Sequence, residues 1–63
     1  MHIKTANTFL QNLRLMKDSA QRMQHEALVH DSPALAEMLE EVKTQIDIPM
    51  NWLRKAHHEG QKL

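Results

Sequence analysis

The chain has 63 residues, 8 basic and 8 acidic side chains, a formal net charge of zero and no cysteine. That length allows one domain at most and little buried apolar surface. Zero net charge argues against binding nucleic acid through bulk electrostatics, and the missing cysteines exclude disulfides and thiolate metal sites.

The first helix is predicted over residues 4 to about 29, starting near Lys4 to Asn7 with Thr5 or Asn7 as cap. No Gly or Pro interrupts it. Its apolar stripe runs Ala6, Phe9, Leu13, Met16, Ala20, Met23, Ala27, in alternating steps of three and four, which is the seam of a helix facing another helix. A turn follows at residues 30–32. There Ser32 is a good N-cap, Asp31 is placed to share that work, and Pro33 suits the first helical position, where its missing N–H costs nothing.

The second arm is predicted over residues 33 to about 59, closed by Gly60 as the left-handed residue after the helix, with Gln61-Lys62-Leu63 fraying. Glu37, Glu40 and Glu41 near its start and Arg54, Lys55, His57 and His58 near its end oppose the helix dipole favourably. Pro49 removes the bond to the carbonyl of Gln45. Either the helix is kinked near residues 45–49, or Asp47 caps a new helix from Ile48. The unbroken heptad phase favours the kink.

The second stripe is Leu35, Leu39, Val42, Ile46, Pro49, Leu53, Ala56. Folding the chain at His30 pairs Ala27 with Leu35, Met23 with Leu39, Met16 with Ile46 and Phe9 with Leu53, and all pairs share one numerical sum, as a rigid antiparallel register requires. The expected fold is therefore all-α, an antiparallel two-helix hairpin kinked at Pro49. Its expected core is Phe9, Leu13, Met16, Met23, Leu35, Leu39, Val42, Ile46 and Leu53.

Large apolar residues remain after the seam is filled. Leu15, Met38, Ile48 and Trp52 are predicted on one flank, and Ile3, Leu10 and Met50 on the other. A two-helix hairpin cannot cover both flanks, and such a patch marks a partner surface. The expected product is a homodimer forming a four-helix bundle, or a complex with another helical protein, with Leu15, Met38, Ile48 and Trp52 at the interface.

No catalytic, metal or cofactor site is expected. The five histidines show no E-x-x-H spacing, and His25-Glu26 is followed by His30, five residues on and off the face of His25. His2 and His57 are the pair that the open end of a hairpin would bring nearest. Ser19, Ser32 and Thr44 have no base at a useful spacing, and a single Gly makes no phosphate loop.

No segment is apolar and long enough to span a bilayer, so no membrane partner is expected. Met1-His2-Ile3-Lys4 lacks the basic-then-apolar order of a secretion signal, and a cytoplasmic protein is the expectation.

From Lys17 to Gly60 the chain resembles the short helical hairpins of the spore coat F family, which belong with ferritin-like bundles. The residues that carry this are Ser32-Pro33-Ala34-Leu35 with Leu39, the apolar Val42 and Ile46, and Gly60 after a charged run. The aromatic residues that follow the closing Gly in that family are absent here, and Pro49 interrupts the second helix. The resemblance implies a structural or assembly role without catalytic residues. Small helical-hairpin chaperones of secretion systems are similar in architecture. The leading functional expectation is a small non-enzymatic protein–protein interaction or assembly protein acting as a homodimer. The alternatives are a nucleic-acid-associated dimeric regulator contacting through Arg14, Lys17 and Arg22, and a metal-binding helical bundle.

Overall fold

The computed structural model describes residues 2–61, with side chains described over residues 2–56. Two helices, α1 (Ile3–Val29) and α2 (Pro33–Gln61), run antiparallel, with no strand among the described residues. The hairpin measures 50 × 15 × 11 Å, so it is a single layer of helices.

Helix α1 begins one residue earlier than expected, and neither Thr5 nor Asn7 caps it. His2 is extended at the cap position, and its Nδ1 accepts the N–H of Lys4 at 3.2 Å. At the other end the chain turns through a Schellman motif. The N–H of Asp31 bonds the carbonyl of Leu28 at 3.1 Å, and that of Ser32 bonds the carbonyl of Ala27 at 2.7 Å. Asp31 holds φ 58°, the left-handed region that glycine enters without steric cost. Asp31→Gly is therefore expected to stabilise the hairpin by up to about 1 kcal/mol, read as a higher thermal midpoint. A lower midpoint would mean that the Asp31 side chain contributes more than its backbone costs.

Ser32 occupies the cap position of α2, its carbonyl taking the first intrahelical bond from Ala36 at 3.1 Å. Helix α2 is continuous through Pro49 and extends to Gln61, two residues beyond the expected end. The reading in which Asp47 starts a separate helix is thereby corrected. The side chains of His57 and His58 lie outside the described residues, and so does the pairing expected of His2 with His57.

The seam differs from the expected one by a rotation of about 50°, half the step between neighbouring residues, so that alternate members are exchanged and the others stay. Its buried members are Ala6, Leu10, Ala20 and Ala27 on α1, and Ala36, Leu39, Ile46, Met50 and Leu53 on α2. Leu13, half-buried, packs against the cluster of Ala6, Leu10, Ile46, Met50 and Leu53. Leu39, Ile46 and Leu53 thus hold their expected core places. Phe9, Met16, Met23, Leu35 and Val42 do not, being 44–55% exposed. Pro49, expected opposite Leu13, is exposed as well. Leu10 and Met50, expected on a flank, are core residues instead. The half-buried Lys17, Gln24 and Lys43 complete the steps of three and four. The physical reason is in the small side chains. Ala20, Ala27 and Ala36 let the backbones approach, so long polar residues lay their stems along the seam and keep their heads at its edge.

Candidate interaction surface

One side of the seam is polar. Lys17 Nζ donates to Asp47 Oδ1 at 2.6 Å, Lys43 Nζ to Gln21 Oε1 at 2.5 Å, and Gln24 Nε2 to Glu40 Oε2 at 2.8 Å and to the Ala36 carbonyl at 3.1 Å. Lys43 also pairs with Glu40 at 2.9 Å, with only 14% of its side chain exposed. The Gln24 amide, then Lys43, hold the Glu40 carboxyl below its usual range. These bonds tie α1 to α2 in register. Each exposed ion pair contributes little by itself, so their value is in setting which edges meet.

The other side is apolar. A groove of about 570 Å³ is lined by Phe9, Leu13, Met16, Ile48, Pro49 and Trp52, among others. A second, of about 430 Å³, continues along α2 past Met38, Val42 and Gln45. A third, of about 370 Å³, runs past Leu15, Met23 and Val42. Met16 borders all three, so they form one apolar valley. None of their residues takes part in the polar bonds across the seam. Phe9, Met16, Met23 and Leu35, Val42, Pro49 recur every seven residues, so each helix presents a second heptad stripe beside the one that closes the hairpin.

The residues expected at a partner interface are all exposed: Leu15 57%, Met38 63%, Ile48 60% and Trp52 62%. The valley brings Ile48 and Trp52 to one groove, with Met38 and Leu15 in the adjoining ones. Phe9, Met16, Met23, Leu35 and Val42, expected inside the hairpin, belong to this exposed face instead.

No family model, curated protein or solved structure matches this chain.

The geometry therefore carries the functional reading alone. Among the described residues, no buried polar or charged side chain occurs. Among the described residues, no three His, Cys, Asp or Glu side chains gather where a metal ion would sit. No helix of the described residues is long and apolar enough to cross a membrane. Of the basic residues proposed to contact nucleic acid, Lys17 is committed to Asp47, and Arg22 donates to Ser19 Oγ at 3.2 Å. What the arrangement does offer is apolar area with a heptad repeat, which is a surface for helices.

Proposed function

We propose that this chain is a small, non-enzymatic assembly protein whose working form is a homodimer, a four-helix bundle closed over the apolar valley. One observation carries the reading: the second heptad stripe is left in water. The chain exposes 5020 Å². A compact monomer of 7.4 kDa exposes roughly 4,200 Å² by the usual scaling. The elongated hairpin thus leaves about 800 Å² more in water than a compact chain, of the order that each partner contributes to an ordinary stable interface. The same valley accepts a helix of another protein, so solution mass is the deciding measurement. Sedimentation should give twice the chain mass, and the thermal midpoint should rise with protein concentration, because folding and association are linked. A folded monomer with a concentration-independent midpoint would overturn the dimer and leave a hairpin that displays this face to a foreign partner.

A further inference from the structure

We propose that the two copies pack antiparallel, valley on valley, about a two-fold axis that crosses the bundle at Gln45, so that α2 lies against α2 and α1 against α1. The proposal rests on the dimer reading above and adds its geometry and the residue that sets it.

The apolar face has an internal symmetry centred on the layer of Gln45, although Asn12 and Glu41 also border its grooves. On α2, Gln45 stands midway between Met38 and Trp52, seven residues from each. Two helical turns, about 10.5 Å, therefore separate it from an exposed thioether on one side and an exposed indole on the other. The hairpin register sets Ser19 level with Gln45, since Lys17 bonds Asp47 and Gln21 bonds Lys43 on either side of them. On α1, Phe9 lies ten residues before Ser19, toward the open end. On α2, Leu35 lies ten residues before Gln45, toward the turn. A two-fold axis through this layer therefore sets Trp52 of one copy on Met38 of the other, and Phe9 at the level of Leu35 of the other.

These matches favour the crossing axis over one that runs along the bundle. An axis along the bundle stacks both aromatic pairs in the same layers at one end and leaves methionines and leucines at the other, so layer thickness is uneven. The crossing axis opposes a rigid ring to a flexible side chain, which keeps the layers even, and sulfur–aromatic contacts are favourable. It also gives Gln45 a partner. Gln21 and Gln24 are used across the hairpin seam, whereas Gln45 is exposed and lines the valley. A side-chain amide carries both donors and an acceptor, so two copies facing each other across the axis satisfy one another. Asn12 and Glu41 border the grooves too, but Gln45 alone of the three lies on the axis, where a polar residue meets its own copy and so fixes register at a cost in stability.

The chain has no cysteine, so single cysteines report the geometry without background. Full-length Gln45→Cys and Ser19→Cys are each oxidised under mild conditions with oxidised glutathione, alone and as an equimolar mixture. Solution mass is measured in parallel on the reduced proteins. Antiparallel two-fold packing predicts that each single variant forms a symmetric disulfide dimer, because each position meets its own copy at the axis. Cross-linking only in the mixture, between position 19 of one chain and position 45 of the other, would overturn the crossing axis in favour of the axis along the bundle. Dimers by mass that cross-link in neither case overturn the Gln45 centre while the dimer reading stands. Monomers by mass at every concentration, with the unsubstituted chain behaving likewise, overturn the dimer reading itself.

Discussion

Trp52→Glu is expected to abolish association and, with it, most of the folded population. Trp52 is 62% exposed in the single hairpin and borders the largest groove of the valley. Burying a large apolar side chain contributes roughly 1.5–3 kcal/mol. Two-fold symmetry counts it twice, so the dimer loses about 3–6 kcal/mol, roughly two to four decades in dissociation constant. The glutamate adds the cost of placing a charge against apolar surface. A chain of this size has little stability to spare without a second layer. Circular dichroism and sedimentation at matched concentrations check this. Unchanged mass and unchanged midpoint would show that the valley around Trp52 is not the contact surface.

Pro49→Ala is expected to act in the opposite direction. Proline inside a helix removes the N–H that would bond the carbonyl of Gln45 and crowds that carbonyl, at a cost of about 3 kcal/mol relative to alanine. Helix α2 is nevertheless continuous through Pro49, and the ring is exposed beside Phe9 and Trp52 in the groove. Alanine restores the bond and gives up part of a ring at the contact face. The restored bond is the larger effect, so a net gain of roughly 1–3 kcal/mol follows. A domain this small shifts by about 4–8 °C per kcal/mol, so the midpoint should rise visibly. A fall in midpoint would mean that the ring contributes more to the contact face than it removes from the helix.

These two residues show how much the sequence reveals and where it stops. Steps of three and four announce two helices, His30-Asp31-Ser32-Pro33 announces the turn, and the shared sum across the stripes announces an antiparallel register. The structure keeps that register to within one to two residues, roughly 1.5–3 Å along the axis: Lys17 meets Asp47, Gln21 meets Lys43 and Gln24 meets Glu40. Leu39, Ile46 and Leu53 were legible as core because they stay inside whichever neighbour the helix faces. Trp52, Ile48, Met38 and Leu15 were legible as surplus because one seam has no room for them.

The sequence by itself determined that each arm carries an apolar stripe wider than one helix contact. Only the tertiary structure decided which edge of that stripe closes the hairpin. Rotating a helix by about 50°, half the step between neighbouring residues, exchanges Phe9 for Leu10, Met16 for Lys17 and Met23 for Gln24 at the seam while Ala6, Leu13, Ala20 and Ala27 stay. Hydrophobicity ranks Lys17 and Gln24 as outside because it scores whole residues. The folded hairpin sorts them by atom: stems along the seam, the Lys17 ammonium on Asp47, the Gln24 amide on Glu40. Those bonds join residues thirty and sixteen positions apart, so no local pattern reports them. Their consequence is that Phe9, Met16, Met23, Leu35 and Val42 are turned outward to form a face.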